Sequence, residues 1–406
     1  MVLLTTLLSF LACIASASIT ERQKEYYALY LLLEVGMLGT FLALDLFLFY
    51  IFWEIVLVPM YLMIGIWGGG RREYSAFKFF VYTLAGSLAM LLAILALYLK
   101  THTFNMILLA SMGHSLELGF QRLLFVAFFL GFTIKVPILP FHTWLPDAHV
   151  DAPTPGSVLL AGILLKMGGY GFFRIAYPIF PEGAQWFGPM MALLGMINIV
   201  YGAFVAMAQT DFKRLVAYSS VSHMGFVLLG LAGLTPEGWN GAMFQMVSHG
   251  LLTGGMFLLV GVLYDRAHTR DLNAFGGLGA RAPIYAALLL FFSLGSLGLP
   301  GLSGFVAEFL AFVGAFGLWR WQTAVSVIGV VVAAAYMLKV IRQILLGPLN
   351  PKWASLPDMT PREVFSIAPL LLAVLALGVY PRLLLTIQDP ALQQAVAQVL
   401  GQAWMR

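Results

Sequence analysis

The sequence predicts an all-α polytopic membrane protein with about 12 transmembrane helices that each cross ~30 Å of hydrocarbon at ~1.5 Å per residue. Of its 406 residues, 61% are hydrophobic and only 10% are charged, and the mean hydropathy is +0.91. Such a composition leaves too little polar surface to coat a soluble domain. The lone cysteine, Cys13, excludes a disulfide framework and any thiolate-ligated iron–sulfur or zinc site within the chain.

The predicted spans are long apolar stretches joined by short connections, so no soluble domain fits between them. They cover residues 2–18, 27–44, 46–67, 77–99, 120–142, 155–179, 186–208, 214–233, 239–264, 283–312, 318–346 and 364–387. The first span is interpreted as a retained helix, because the opening MVLLTT lacks the positive charge of a signal peptide.

Two of these spans contain prolines at mid-membrane depth. Pro137 and Pro140 interrupt the fifth span, and Pro300 interrupts the tenth. Because proline removes a backbone donor and clashes with the preceding turn, both helices should break there. Spans two to six and seven to eleven then form two units of five helices, each with its fourth helix broken. An odd number of crossings inverts the second unit relative to the first, as in many ion transporters.

The predicted organisation is therefore an N-terminal helix and loop, two inverted repeats and a C-terminal helix. Their bounds are residues 1–26, 27–180, 181–347 and 348–406.

Lysines and arginines in the short loops predict the orientation of the chain. One side carries Arg22, Lys24, Arg71, Arg72, Lys213, Arg214, Arg266, Arg270, Arg281, Arg342, Lys352 and Arg362. The other side carries Lys100, Arg122, Arg174, Arg320, Arg382 and Arg406. The first side should be cytoplasmic, which places both termini on the outer side.

Two lysines lie within the most apolar part of the sequence. Lys135 is in LLFVAFFLGFTIKVPILPF and Lys166 is in SVLLAGILLKMGGYGFF. A charge at the bilayer centre costs at least ~2.5 to 3.5 kcal/mol, so a functional site is the default interpretation of such a residue. The two lysines therefore indicate that charge is bound or moved inside the membrane.

Two carboxylates and two histidines are also predicted at membrane depth. Glu54 and Glu308 lie in apolar helices, and His223 and His249 occupy neighbouring spans. Either histidine alone is equally typical of a packing residue, but a histidine titrates near neutral pH and can relay a proton. Six ionisable groups in one bundle favour a proton path over packing.

A carboxylate near a lysine stabilises the ammonium, whereas apolar surroundings favour the neutral amine. Pairing would therefore load a proton and unpairing would release it. The hypothesis is that Glu54 pairs with Lys135, and that Lys166 and the histidines pass protons to Glu308 and the exit.

Other charged positions are interpreted as structural. Lys78 and Lys339 lie within about two turns of span ends, where long cationic side chains reach the interface. Glu34 lies within its span, and the sequence gives it no partner.

The polar run FHTWLPDAHVDAP follows the first break and contains His142, Asp147 and His149. It should line an aqueous entrance or form a short interfacial helix, because irregular backbone in a membrane needs protein or water beside it. No further cluster of histidines or cysteines supports a metal site there.

These motifs carry a resemblance to a known family. The run KVPILPFHTWLPDAHVDAPTPGSVLLAGILLKMGGYGFFRI, with FYIFWEIVLVPMYLMIGIWGG before it and DFKRLVAYSSVSHMGFV after it, resembles the proton-pumping antiporter-like subunits of respiratory complex I. The most similar group is subunit M of NADH:quinone oxidoreductase, called chain 4 in mitochondria. The similarity spans nearly the whole chain.

The resemblance implies roles for individual residues. Glu54 and Lys135 match the glutamate and lysine of the first half-channel, and Lys166 matches the lysine of the central axis. His223 and His249 match the connecting histidines, and Glu308 matches the terminal group of the second half-channel.

Three further points bear on the comparison. Sister subunits usually carry lysine where this chain has Glu308, and no long amphipathic helix of the L type is expected after residue 387. Family members generally begin with about two further helices before the region that matches residues 2–18.

The resemblance also implies where the redox chemistry lies. The chain has no Rossmann, P-loop or flavin motif, since its glycine runs lie at helix ends without a preceding strand. NADH, FMN, iron–sulfur clusters and quinone would then be bound by partner subunits, so "enzyme" describes the assembly. Expected partners are L-type and N-type antiporter-like subunits, small membrane subunits and lipids of a bacterial inner membrane, with no nucleic acid.

Two alternatives remain open at this point. The chain would otherwise belong to a multi-chain cation/proton antiporter or a membrane-bound hydrogenase, or it would be a scaffold without transport. Flavin- and iron–sulfur-bearing partner chains would favour a redox pump, and the scaffold requires that replacing both lysines change nothing.

Overall fold

A computed structural model describes residues 1–401 of the chain as a bundle of helices. The helices of the N-terminal segment and first unit are α1 (Val2–Ala15), α2 (Gln23–Leu42), α3 (Leu46–Trp67), α4 (Arg72–Thr101), α5 (Met106–Met112), α6 (Leu118–Lys135), α7 (Trp144–Asp151) and α8 (Thr154–Ile179). The remaining helices are α9 (Pro181–Ala208), α10 (Phe212–Ala232), α11 (Pro236–Ala267), α12 (Leu278–Arg281), α13 (Pro283–Ser296), α14 (Ser303–Phe316), α15 (Arg320–Ile344), α16 (Pro361–Val379) and α17 (Arg382–Val399).

The all-helical membrane fold predicted from the sequence is confirmed. Within residues 1–401, nine helices are long and apolar enough to cross a membrane. Four shorter apolar helices, Val2–Ser18, Met106–Ser115, Pro283–Ser296 and Ser303–Phe316, do not meet that length. The count of twelve crossings therefore stays a prediction.

Both proline breaks occur where the sequence predicts them. α6 ends at Lys135, two residues before Pro137, and the chain resumes a helix only at Trp144. α13 ends at Ser296 and α14 begins at Ser303, on either side of Pro300. A third interruption was not predicted. α3 consists of two segments that meet at Val56, three residues before Pro59, whose missing N–H and ring disturb the preceding turn.

The backbone of the first break is held by side chains from other elements. Asn198 of α9 accepts from the Leu139 N–H at 2.9 Å and donates to the Pro137 carbonyl at 3.2 Å. The Trp144 indole donates to the Ile134 carbonyl at 2.8 Å. These bonds satisfy polar groups that the interrupted helix cannot pair, as a buried backbone requires.

The end of the chain differs from the prediction of one span over 364–387. α16 ends at Val379, and after Pro381 the chain forms a second helix, α17. The Asn240 side chain of α11 donates to Asp389 at 2.6 Å, so α17 packs on the bundle. The sequence does not predict α17, because the mixed polar and apolar residues of this helix lack the hydropathy of a span. Residues 402–406, which include Arg406 of the charge comparison and the end of the predicted 348–406 segment, lie outside the described residues.

A corner with the same local structure occurs twice in the chain. Asp45 pairs with Asn105 and Asp211 pairs with Asp271 in antiparallel bridges, so the second corner follows the first by 166 residues at both positions. In each corner the aspartate caps the following helix, α3 or α10, by accepting from its first backbone N–H groups. Two halves of the chain therefore fold to the same local plan, and the exact bounds of the units stay a prediction.

The two corners lie at opposite ends of the bundle, which we call the Asp45 end and the Asp211 end. The 28-residue helix α9, ~42 Å long at ~1.5 Å per residue, connects them. At the Asp211 end, Lys213 donates to the Ala152 carbonyl at 2.6 Å and the Trp67 indole donates to the Glu21 carbonyl at 2.8 Å. This end gathers the loops that carry the excess of lysine and arginine.

At the Asp45 end, His114 joins three elements. Its Nε2 lies 2.8 Å from the Gln398 carbonyl of α17, and its Nδ1 lies 2.9 Å from Glu182 Oε1 of α9. These two hydrogen bonds raise the pKa of His114 above its ordinary value of 6.5. A raised pKa means that the attachment of α17 is fully present below the unfolded pKa and is lost as the pH rises through the folded pKa.

We therefore expect α17 to exchange its amide hydrogens more slowly at pH 6 than at pH 8.5, after correction for intrinsic rates. Hydrogen exchange of residues 391–399 in the purified assembly measures this. His114→Gln should remove the pH difference, whereas His102→Gln, which changes an exposed histidine at the same end, should keep it. An undiminished difference in His114→Gln would assign the effect to another group.

Candidate functional site

Lys166 lies at the centre of the candidate site. It is fully buried in α8, and its Nζ lies 2.5 Å from His249 Nδ1 of α11 and also donates to the Ala161 carbonyl. That carbonyl, five residues earlier, lies in the π-helical stretch Leu160–Leu164. A π-helical turn disturbs the i to i−4 bonding and leaves a carbonyl available to a side chain. The local helix distortion thus provides the lysine with its second partner.

Two further groups continue the series from His249. The rings of His249 and His223 lie 5.7 Å apart between centroids, and His223 Nδ1 lies 3.2 Å from Glu308 Oε1. A small cavity borders these three side chains, together with Gln245, Ser248, Thr253 and Ser296, and has room for about one water. Lys166, His249, His223 and Glu308 therefore form one continuous series of ionisable groups.

Close packing of two helices positions Glu308 against His223. Ser248 and Ser303 form a hydroxyl–hydroxyl bond of 2.8 Å between α11 and the start of α14. At the other end of α14, a Cβ at Gly314 would lie 2.1 Å from the Gly238 backbone nitrogen, so only glycine permits this approach. Glu308 lies between these two fixed points.

Lys135 is the last residue of α6 and is only 1% exposed. Among residues 1–401 its Nζ has no hydrogen-bond partner. It lies 5.2 Å from the ring centroid of Trp53 and 5.9 Å from that of Phe79. Aromatic faces attract a cation without accepting its proton, and a helix C-terminus favours positive charge.

Glu54 is half-buried in α3, directly after Trp53. In the described part of the chain, no ion pair within 4.0 Å joins it to Lys135, and its Oε1 has no hydrogen-bond partner. Tyr50 and Ser87 lie beside the carboxylate. The structure thus brings Glu54 near Lys135 through Trp53, and their pairing stays a prediction.

Lys78 and Lys339, which were interpreted as structural, each bond to protein groups at the Asp211 end. Lys78 forms an ion pair of 2.7 Å with Asp147, a residue of the polar run, and Arg214 lies 3.6 Å from the same carboxylate. Lys339 donates to the carbonyls of Met207 and Gln209 at 2.9 Å each. It thereby caps the C-terminus of α9, where a helix dipole favours a cation.

The polar run also places two histidines in the interior. His149 is fully buried in α7, stacks on Phe257 with a centroid distance of 4.6 Å, and has no protein partner for either ring nitrogen within residues 1–401. His142 lies beside the rings of Tyr201 and Tyr218. The short helix predicted for this segment is present, and it lies against the bundle.

A polar cavity of about 280 Å³ at the Asp211 end borders Asp151, Lys213, Asp265 and Arg270. Lys213 is 5% exposed and was missed as a site residue, since its place at the start of a span is typical of an interfacial lysine. Its Nζ bonds to the carbonyl of Ala152, three residues from His149. A metal-binding cluster of three or more His, Cys, Asp or Glu side chains does not occur in residues 1–401.

Comparison with known proteins identifies the family of the chain. Residues 43–334 match the family model described as NADH:quinone oxidoreductase/Mrp antiporter, transmembrane. NADH-quinone oxidoreductase subunit M of Rhodobacter capsulatus is 47% identical, over 97% of this chain and 80% of that protein. NAD(P)H-quinone oxidoreductase chain 4-1 of Synechocystis sp. is 44% identical, over 98% of this chain and 77% of that protein.

Solved structures share the helix arrangement. A chain of respiratory complex I from Thermus thermophilus with bound NADH has a TM-score of 0.92 at 35% identity, over 98% of this chain and 84% of that chain. A chain of the Mrp complex from Dietzia sp. has a TM-score of 0.86 at 22% identity, with the same coverage, and shows the fold alone.

The shared fold and the buried ionisable series define an antiporter-like membrane subunit that translocates protons. The relatives match nearly the full length of the chain. This chain belongs to the NADH:quinone oxidoreductase/Mrp antiporter family, and the resemblance to subunit M drawn from the motifs is confirmed.

Proposed function

We propose that this chain is the subunit M component of a bacterial NADH:quinone oxidoreductase and moves protons along its buried ionisable series. One observation carries the proposal: Lys166, His249, His223 and Glu308 follow one another through contacts inside the bundle. Ionisable groups inside a membrane protein are costly, and they mark ion and proton pathways. Electron transfer itself would take place in partner subunits.

The step between Lys166 and His249 is a proton transfer across a short contact. With Nζ and Nδ1 2.5 Å apart, a proton on either nitrogen is hydrogen-bonded to the other. Histidine can accept on one ring nitrogen and release from the other. His249 would thus hand the proton on to His223 through the water-sized cavity, and His223 would hand it to Glu308 at 3.2 Å.

Lys135 would serve as the proton store of the first half-channel. Its partners are aromatic rings rather than a carboxylate, so within residues 1–401 no group in contact with it neutralises its charge. The proton affinity of a buried amine in such a setting depends strongly on the charge of neighbouring groups. A change of charge or position at Glu54 would therefore load or unload Lys135.

Protons would enter from the Asp211 end. The polar cavity there reaches Asp265 and Lys213, and Lys213 bonds to the backbone beside His149. His149 would accordingly relay protons from the cavity towards Lys166.

The surroundings of the chain follow from the family. FMN and iron–sulfur clusters would be bound by partner subunits, which would oxidise NADH and reduce quinone. L-type and N-type antiporter-like subunits, small membrane subunits and lipids would pack around this one in the inner membrane of a bacterium. The loop charges support a cytoplasmic Asp211 end and outer termini. A cation/proton antiporter of several chains would share the fold, and its purified assembly would contain no flavin.

The test is proton pumping by the purified assembly in liposomes, with NADH and quinone supplied and both electron transfer and proton uptake recorded. Lys135→Ala is expected to abolish pumping and to slow electron transfer, because the proton store and the redox reaction are coupled. Lys100→Ala removes an exposed lysine at the end of α4 and should behave as wild type. Unchanged pumping and electron transfer in Lys135→Ala would overturn the proposed path.

A separate variant tests the proposed role of Glu54. Glu54→Gln keeps the shape of the side chain and removes its charge, so it should lower pumping in the same assay. If Glu54→Gln pumps normally while Lys135→Ala does not, Glu54 does not control the loading of Lys135.

A further inference from the structure

A groove at the Asp45 end lies apart from the proton path. It is bounded by α5, the last turns of α8 and α17, and its volume is about 580 Å³. The lining residues are mostly small or apolar, with a few polar groups: Met106, Ile107, Ala110, Ser111, His114, Phe173, Arg174, Pro178, Ala391, Gln394, Ala395, Ala397 and Gln398. No carboxylate is among them.

Arg174 is the charged group of this groove that has no counter-charge. Within residues 1–401 it forms no ion pair, and its buried Nε has no hydrogen-bond partner. A guanidinium presents five donors in a planar fork that fits carboxylate and phosphate oxygens. Leaving such a cation half-buried and unpaired is costly, so the groove is suited to an anion.

The depth of Arg174 favours a lipid anion over a dissolved one. It lies five residues before Ile179, the last residue of α8, which is ~7.5 Å along the helix axis at ~1.5 Å per residue. That level corresponds to the headgroup region, where arginine side chains meet the interface. Met106, Ile107 and Phe173 supply apolar walls next to the charge, and Ile107 is 59% exposed. A free phosphate ion would make no contact with these apolar walls.

We propose that this groove binds an anionic glycerophospholipid, with its phosphate on the Arg174 guanidinium and an acyl chain along α5. The lipid would fill the space between α17 and the ends of α5 and α8. It would thereby fasten α17, whose direct bonds to this region are the bond from His114 Nε2 to the Gln398 carbonyl and the bond from the Gln398 side chain to the Ala110 carbonyl. The inference is independent of the proton path.

The experiment uses the purified assembly, a phosphatidylglycerol with a photoreactive diazirine in one acyl chain, and a phosphatidylcholine that carries the same chains. After illumination, mass spectrometry maps the labelled peptides. We expect phosphatidylglycerol to label peptides of α5 and α17, and Arg174→Gln to reduce this labelling about fivefold or more, since a charge-assisted bidentate contact is lost. Arg174→Lys should keep part of it. Arg320→Gln changes an exposed arginine at the same end and should leave labelling unchanged.

Other outcomes would overturn the proposal. They are equal labelling by phosphatidylcholine, undiminished labelling in Arg174→Gln, or crosslinking of a benzoylphenylalanine at Ala391 to a partner chain in place of lipid. A chain that ends at Gly401 and gains labelling severalfold would instead assign the groove to residues 402–406. If Arg174→Gln fails to assemble, competition on the wild type decides: unlabelled phosphatidylglycerol should suppress the labelling and phosphatidylcholine should not.

Discussion

Replacing Lys166 by alanine is expected to reduce proton pumping by at least about tenfold, because a positioned proton donor and acceptor contributes ~10² or more to a transfer rate. Lys166 is the only buried group in contact with both a helix carbonyl and His249 in the described structure. Its loss interrupts the series between the two halves of the bundle. Proton uptake into liposomes, normalised to the NADH oxidised, measures the effect.

Lys166→Arg separates proton transfer from a requirement for charge. Arginine keeps a positive charge at this position but cannot release its proton in a protein. We therefore expect Lys166→Arg to fail almost as completely as the alanine variant. The control is Lys352→Ala, which removes an exposed lysine at the Asp211 end. Normal pumping by Lys166→Arg would mean that Lys166 holds a charge and does not exchange its proton.

Glu308→Gln should produce the second large loss. Glutamine preserves the shape of the side chain but neither ionises nor accepts a transferred proton. His223, which lies 3.2 Å from Glu308, then has no group to receive its proton. We expect pumping to fall about tenfold or more, as for removal of a general base. Stopped-flow recording of proton uptake after a pulse of NADH would show whether the transfer to Glu308 has become slow.

Glu308→Asp tests how strongly pumping depends on the position of the carboxylate. It keeps the carboxylate but shortens the side chain by ~1.5 Å, one carbon–carbon bond, so we expect partial pumping. Glu237→Gln changes an exposed glutamate at the start of α11 and should have no effect. Wild-type pumping in Glu308→Gln would remove Glu308 from the path and leave His223 as its last member.

The sequence predicted the broken helices because their cause is local. Pro137 and Pro300 act on the turn that precedes them, whatever the rest of the chain does. The depth of Lys135, Lys166 and Glu308 was equally accessible, since a charge within a long apolar stretch is visible without knowledge of its neighbours. The family motifs then supplied a role for each residue.

Contacts between segments that are distant in the chain could not be predicted from the sequence. Asn198 lies 61 positions from Pro137, yet it holds the backbone of the first break. The same holds for the pairing of Lys78 with Asp147 over 69 positions. Hydropathy measures the preference of each residue for lipid over water, and it does not show which helices pack against one another. His149 was noticed as polar, but its burial depends on contacts with distant helices, such as the stack of its ring on Phe257 of α11, which no periodicity encodes.

The paired corners restrict where this protein can change shape. At each corner the chain returns on itself through two backbone hydrogen bonds, Leu46 to Phe104 and Met106 to Leu44 in one, and Phe212 to Arg270 and Leu272 to Thr210 in the other. These bonds tie the start of α3 to the segment after α4 and the start of α10 to the segment after α11, so the helices of each pair are held together at that end. His223 and His249 thus lie on two helices that are held together, whereas Lys135 lies at the end of an interrupted helix. A movement transmitted from neighbouring subunits would therefore be absorbed at the interruptions, where hinges are available, and would displace Lys135 relative to the two relay histidines.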